Sequence, residues 1–330
     1  MGYRTRLSAV FGLLKDKGSM IKTTLSTKRH KASVRRVILR ATTHGSYVPP
    51  ADHRIAAVIA LGHGSRATAC TCIQAVMDRL HRTRNSTVAL KCLYTIHNII
   101  GKGSYILKDQ LAMYPSFGGR NFLNLSTFRD DSDPEAIEMS AWVRWYAGML
   151  EQNLMVSRML GYHLNSPPRS KNRNKILDSE LLKEIEVLIN FADHLSTVPD
   201  SLYLQRESLV YESVRLVSED YRLVQREIFV RVAELGARTT ILSLNECTEF
   251  LSSINRLDGC KERVSLLLVN RNRNDDLWDL IKGTKENLVA TMKKEEEGKM
   301  VVTAVGNESR KLTGFSELYR LASRGRWIEF

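Results

Sequence analysis

The fold is set by a stretch near the amino terminus, Thr27–Arg54, which reads TKRHKASVRRVILRATTHGSYVPPADHR. Its apolar residues recur at helical spacing: Val34, Val37, Ile38 and Ala41. One face of this segment is therefore suited to burial. Gly45 can end the helix, and Pro49-Pro50 can open a second one, because proline is tolerated in a first helical turn. The stretch predicts a basic helix, a turn and the start of another helix.

Basic side chains are expected to converge on the corner between these two helices. Arg36, Arg40 and His44 stand four residues apart and are predicted to share one exposed face. The unpaired amides at the start of the second helix attract anions, and His53 falls within its first turn. The pattern is compatible with a site for a phosphorylated ligand. A solvated basic helix beside an ordinary turn is the alternative, and spacing alone leaves both open.

The positive charge of the chain is concentrated in its first third. The whole sequence carries a net charge of +13, whereas residues 1–100 contain 17 lysines and arginines against three acids, a net of +14. The remaining residues are therefore close to neutral. Such asymmetry indicates a surface for nucleic acid or anionic lipid. Nucleic acid is not expected, because no RNA- or DNA-binding motif is present and aromatic residues are not interleaved with the bases.

Cysteine content and the lack of targeting patterns indicate a cytosolic protein. The five cysteines form an odd set without metal-ligand spacing, which is typical of reduced thiols, and no metal or cofactor is expected. No signal-peptide pattern is visible, and the apolar runs are too short to cross a bilayer. Arg6 stands where an N-myristoylation motif requires a hydroxyl. Any membrane contact is therefore expected to be peripheral.

Helical patterns follow one another along most of the chain, with strand signals nearly absent. Two helices are predicted over residues 50–62 and 66–81, with Ser65 as the N-cap of the second. The most regular pattern runs from Asn85 to Gly101, and His97 beside its apolar stripe is interpreted as a core histidine.

Later patterns complete an all-α architecture. Asp133-Pro134-Glu135 is typical of a helix start, and the aromatic stripe after it is interpreted as core packing. Three long helical patterns follow, at residues 181–195, 210–228 and 244–254. Successive helix pairs with short connections predict an α-α solenoid. No P-loop, dinucleotide-binding pattern, zinc signature or nucleophile elbow is present, so an enzyme is not expected and no catalytic residue is assigned.

Four blocks of sequence occur in the order of a known family. They are RATTH followed by His53 (from Arg40), NSTVALKCLYTIHNIIGKGSYIL (Asn85–Leu107), NFLNLSTFRDDS (Asn121–Ser132) and MSAWVRWYAGMLEQ (Met139–Gln152). Together they resemble the ANTH domain of clathrin assembly proteins, most like the plant branch, over about residues 5–290. The resemblance implies an all-α superhelical domain that binds phosphatidylinositol 4,5-bisphosphate, recruits clathrin and sorts small SNAREs as cargo.

The family's lipid motif is only half retained. It places a base before the turn and Lys-x-Lys-His at the start of the next helix. Arg40 matches the first base and His53 the histidine, whereas Pro50 and Asp52 occupy the two lysine places. Asp52 replaces an attraction for phosphate with a repulsion, so phosphoinositide specificity is expected to weaken. Other bases are expected to supply a less selective contact: Lys31, Arg35, Arg36, Arg54 and the Lys15–Lys22 cluster.

The resemblance also implies a division of the chain. An ANTH domain is expected over residues 1–290, with a membrane-facing part to about residue 164, a loop at Asn165–Lys175 and later helices at 176–290. Residues 291–330 are expected to form a short flexible tail. The amphipathic segment Leu7–Leu14 is interpreted as packing on the helices, with membrane contact as the alternative. Leu277–Ile281 approaches a clathrin-binding box but is interpreted as helix.

The predicted function is a peripheral membrane adaptor of clathrin-coated pits and vesicles, acting in endocytosis or at the Golgi apparatus. Anionic phosphoinositide membrane is expected at the N-terminal third, and the clathrin coat and SNARE cargo at the later helices. The alternative is a cytosolic, non-enzymatic helical scaffold that lacks phosphoinositide specificity.

Overall fold

A computed structural model describes residues 15–17, 29–113, 123–166, 177–201, 203–267 and 275–304. These residues form helices and connections and contain no strand, which confirms the all-α prediction. In chain order the helices are α1 (Arg29–Ala41), α2 (Asp52–Ala60), α3 (Arg66–Arg82), α4 (Ser86–Lys102), α5 (Tyr105–Ala112), α6 (Pro134–Leu160), α7 (Asp178–Ser196), α8 (Ser208–Gly236), α9 (Leu244–Leu267) and α10 (Asp275–Ala304). Single 3₁₀ turns occupy Leu61–His63 and Leu204–Arg206.

The predicted helix starts are confirmed by their capping contacts. The Ser65 hydroxyl accepts a hydrogen bond from the Thr68 amide at 3.2 Å, at the start of α3. The Asp133 carboxylate accepts one from the Ala136 amide at 2.8 Å, with Pro134 in the first turn of α6. Each side chain satisfies one of the amides that a helix start leaves unpaired, which explains why these residues stand at these positions.

Helix α4 lies at the centre of the amino-terminal half. Every residue from Ser86 to Ile100 is buried, because α2, α3, α6 and α8 pack around it. A helix enclosed on all sides needs apolar residues on every face, as the stretch from Val88 to Ile100 largely provides. The later helices continue the stack through α6–α7, α7–α8, α7–α9 and α9–α10 contacts.

His97 is a core histidine, as its position in α4 predicts. Its ring Nε2 donates to Asp220 Oδ2 of α8 at 2.9 Å, and the Tyr146 hydroxyl of α6 lies 2.9 Å from Nδ1. Asn153 of α6 also donates to Asp220 Oδ2, at 2.5 Å. One polar network thus joins three helices inside the apolar core.

Two boundaries differ from the sequence predictions. Helix α1 ends at Ala41, before Gly45, and α10 continues through Ala304, past the domain limit predicted at residue 290. That limit remains a prediction. Leu277 and Ile281 are buried within α10, so the segment that approaches a clathrin-binding box is part of the helix packing. Most of the predicted 165–175 loop, the amino-terminal amphipathic segment and residues 305–330 lie outside the described ranges.

The five cysteines are free thiols, four of them buried, in agreement with the prediction of reduced cysteines. Within the described ranges, no helix is both long enough and apolar enough to cross a bilayer.

Candidate functional site

The turn after α1 does not continue the basic face of that helix. The Thr42 hydroxyl donates to the Ile38 carbonyl at 2.8 Å and closes the last turn of α1. The chain then passes through Gly45, whose φ of 135° is open to glycine but strained for other residues. Because α1 ends at Ala41, His44 lies outside the helix and does not continue the face that carries Arg36 and Arg40. The prediction of three aligned bases is wrong in its third member.

His44 instead contacts Asp16, a residue of the short described segment 15–17. Asp16 accepts hydrogen bonds from the His44 amide at 2.7 Å, from the His44 ring Nδ1 at 2.8 Å and from Arg79 of α3 at 2.9 Å. Arg79 also donates to the Thr42 carbonyl at 3.0 Å. Burial opposes ionisation of Asp16, but the donors of His44 and the charge of Arg79 outweigh it and lower the pKa of the carboxyl. These bonds fasten the turn to α3.

Lys91 of α4 lies beneath the same turn. Its side chain is buried, and Nζ donates to the Thr43 carbonyl at 3.1 Å. Burial lowers the pKa of the Lys91 ammonium to about 8; Asp16 partly opposes this shift and Arg54 adds to it. Neither Lys91 nor Arg79 was predicted as a site residue. A lysine inside an otherwise apolar helix was the available signal for Lys91.

The Lys91 environment predicts a specific pH dependence. Between pH 8 and 10.5 the unfolded chain retains a proton that the folded lysine has lost, so stability rises with pH in that window. Relative to Lys91→Met, which has no proton to lose, the unaltered protein should gain about 3 kcal/mol of unfolding free energy across the window. Denaturant unfolding at several pH values tests this. Parallel stability curves for the two proteins would show that Lys91 titrates normally.

The start of α2 forms the outer part of the site. Ala51 precedes the helix in an extended conformation and provides no side-chain cap. Asp52 and His53 are exposed in the first turn, while Pro50 is buried. Arg54 Nη1 donates to the Arg40 carbonyl at 2.9 Å and thereby ties the start of α2 to the last turn of α1. We call the surface formed by Arg40, His53 and Arg54 the basic corner.

The other predicted lipid-binding residues lie along α1. Lys31 and Arg35 are exposed, and Lys31 is about 14 Å from Arg40 along the helix axis. Arg35 faces Asp78 at 3.9 Å, an exposed ion pair that holds it only weakly. Arg36 is half-buried, with its Nε shielded from solvent, so it shares the exposed face of Arg40 only in part. A lipid role for these residues remains a prediction.

The later helices contain a groove of about 370 Å³ between α6 and α7. It is lined mainly by polar side chains: Gln152, Met155, Glu186, Asn190, Asp193, His194 and Thr197. The helices approach closely beside it, because a Cβ at Gly148 would lie 2.1 Å from His194 Nε2. No cluster of histidine, cysteine and acidic side chains suited to a metal occurs in the described part of the chain.

These features define an all-α helical stack with a basic corner where two of its first helices meet. Residues 33–264 match the family model of the ANTH domain, and the chain belongs to the ANTH domain family. This confirms the family resemblance drawn from the four sequence blocks.

Three relatives from Arabidopsis thaliana each bear the name "Putative clathrin assembly protein". One is 37% identical over 85% of this chain and 80% of its own length. Another is 29% identical over 89% of this chain and 88% of its own length. A third is 35% identical over 56% of this chain, which spans only 33% of that relative.

Proposed function

We propose that this protein is a non-enzymatic, peripheral membrane adaptor of clathrin-coated vesicle formation. The observation that carries the proposal is the basic corner: Arg40 is exposed, pairs with no acid in the described part of the chain, and stands beside the uncapped start of α2. A cation next to the positive end of a helix dipole is suited to phosphate groups. The relatives named as putative clathrin assembly proteins support the proposed association with the clathrin coat. Small SNAREs are the cargo proposed for the later helices.

The basic corner is expected to bind anionic membranes in general and not to select one particular lipid headgroup. Of the two lysine places in the family motif, one holds exposed Asp52, which repels phosphate. The other holds Pro50, which is buried and so cannot be replaced by a lipid-facing base without disturbing the turn. Lys31 and Arg35 add positive charge along α1 without forming a defined pocket. Binding to phosphatidylinositol 4,5-bisphosphate membranes is therefore expected to depend mainly on total charge.

Reversing the charge at the basic corner should weaken binding to any anionic membrane. Arg40→Glu changes the local charge by two, and each basic charge near an anionic surface contributes about 1 kcal/mol, so affinity should fall about thirtyfold. Vesicle flotation, with phosphatidylserine or phosphatidylinositol 4,5-bisphosphate at equal net charge, measures the effect. Arg222→Glu is the matched control, because Arg222 is also exposed but lies on α8.

The same vesicles test headgroup selectivity. The unaltered protein should bind both compositions similarly, whereas Asp52→Lys should bind the phosphoinositide vesicles better, because it restores a base beside His53. Raising the salt concentration should weaken all binding, since exposed charges are screened over about 8 Å at physiological ionic strength. Strong preference of the unaltered protein for phosphoinositide would contradict this reading of Asp52.

A cytosolic scaffold without lipid contact is the second candidate, and Asp52 beside His53 is the observation that favours it. It predicts no flotation of the unaltered protein with either composition. Adding clathrin to the same vesicles tests the association with the coat. If clathrin floats with the vesicles only when this protein is bound to them, the result supports the adaptor proposal.

A further inference from the structure

Helix α5 presents an apolar face that no described residue covers. Its inward residues, Leu107 and Leu111, are fully buried against the rest of the domain. On the opposite side, Tyr105 is 78% exposed, Met113 60% and Ile106 37%. Ile106 and Met113, the residue that directly follows the helix, are seven residues apart and lie on nearly the same side, and Tyr105 borders that side. We call these three residues the α5 face.

Basic side chains surround the α5 face. Arg66 of α3 lies 3.1 Å from the Asp109 carboxylate and 3.8 Å from the Met113 sulfur, so the one acid in the centre of the face is paired. Arg158 of α6 donates to the Ala112 carbonyl at 2.6 Å, so the end of α6 lies beside the end of α5. Lys102, just before α5, is exposed. Lys102 and Arg158 pair with no acid in the described part of the chain, so positive charge remains at both ends of the apolar surface.

The position of α5 relates this face to the basic corner. The Ser104 hydroxyl, at the start of α5, donates to the Gly62 carbonyl at 2.7 Å. Gly62 lies in the 3₁₀ turn that directly follows α2, whereas the basic corner lies at the start of α2. Helix α2 has nine residues and is about 13 Å long. The two surfaces therefore stand at opposite ends of one short helix.

We propose that the α5 face is a second membrane contact, whose partner is an anionic lipid surface. Tyrosine, isoleucine and methionine bordered by arginine and lysine suit an interface in which apolar side chains enter the acyl boundary and cations stay at phosphate level. A helical peptide partner would need a groove, whereas Tyr105 and Met113 protrude from a single helix. The inference rests on the proposed membrane function and adds an apolar contact to its electrostatic one.

Vesicle binding of the double variant Tyr105→Ser/Met113→Ser tests this contact. Affinity for phosphatidylserine vesicles should fall at least about tenfold, because two large side chains no longer enter the interface. The loss should persist at high salt, unlike the loss caused by Arg40→Glu, because apolar contacts are not screened. Tyr211→Ser/Ile241→Ser is the matched control, since both residues are exposed and lie outside this face. Unchanged denaturation midpoints verify that each variant folds.

The outcomes separate the two proposals. If the unaltered protein binds the vesicles and the Tyr105→Ser/Met113→Ser variant binds equally well, the α5 face is not a membrane contact and the adaptor proposal stands. If the unaltered protein binds no anionic vesicle, the membrane function itself is wrong. A labelled peptide of alternating glutamate and leucine tests whether the α5 face binds an acidic protein segment instead of a membrane. Tyr105-dependent binding of that peptide, without an effect on vesicles, would assign the face to an acidic protein partner and overturn the proposal.

Discussion

Arg231→Met is expected to lower the free energy of unfolding by about 3–5 kcal/mol, because it leaves two carboxylates buried without a counter-charge. Arg231 of α8 donates from Nε to Glu184 of α7 at 2.7 Å and from Nη1 to Glu227 at 2.6 Å. All three side chains are almost fully buried. The Tyr162 hydroxyl, just beyond α6, also donates to Glu227 at 2.6 Å. The arginine therefore supports the junction of three helices.

A second arginine on the same helix provides the control. Arg215 contacts Glu212 and Glu219 in a similar arrangement, but its side chain is 42% exposed. Arg215→Met should cost less than about 1 kcal/mol, since solvent screens exposed pairs. Denaturant unfolding at pH 7 compares the variants. Equal losses of unfolding free energy in Arg231→Met and Arg215→Met would show that burial of the arginine does not determine the size of the loss.

The pH dependence gives an independent check on Arg231. Burial opposes ionisation of Glu227, but hydrogen bonds from Tyr162 and Arg231 outweigh it and lower the pKa of the carboxyl. A lowered pKa contributes stability above the unfolded value of 4.5 that is lost as the pH falls. In Arg231→Met the Glu227 carboxylate loses a donor and a counter-charge, so burial opposes its ionisation with less compensation. The difference between the two proteins should therefore narrow as the pH approaches 4.5, and adding Glu184→Gln and Glu227→Gln should recover part of the loss at pH 7.

Asp220→Ala is expected to lower the free energy of unfolding by about 2–5 kcal/mol, because it leaves two buried donors at the centre of the domain without their acceptor. The substitution removes the acceptor of the His97 ring and of the Asn153 amide, and both donors then remain buried without a partner. Because His97 belongs to α4, Asn153 to α6 and Asp220 to α8, the loss should loosen three helices together.

A substitution at the neighbouring residue, Glu219, tests whether the loss at Asp220 comes from the buried network or simply from removing a negative charge. Glu219 is exposed and pairs only with Arg215 in the described part of the chain, so Glu219→Ala should cost less than about 1 kcal/mol. Asp220→Asn keeps one oxygen as an acceptor, so its loss of unfolding free energy should lie between those of Asp220→Ala and Glu219→Ala. Thermal or denaturant unfolding provides the measurement. An Asp220→Ala protein as stable as Glu219→Ala would mean that the network contributes nothing to the core.

Local sequence patterns were sufficient to predict most of the helices and the all-α class. Apolar spacing identified α4, and the capping residues Ser65 and Asp133 identified the starts of α3 and α6, because a helix start must satisfy its own amides with nearby side chains. The same locality placed Arg40 before the turn and His53 in the first turn of α2. All of these signals operate within a few residues of the chain.

Only the tertiary structure decided which side chains meet and which remain exposed. His44 contacts Asp16, 28 residues away, and His97 contacts Asp220, 123 residues away. No periodicity predicts such pairs, because they depend on how separate helices pack. Packing also buried Pro50 and Lys91 and left Tyr105 and Met113 in solvent. The sequence by itself therefore determined an all-α chain with a basic first third, whereas helix packing decided which of its charges are paired, buried or exposed.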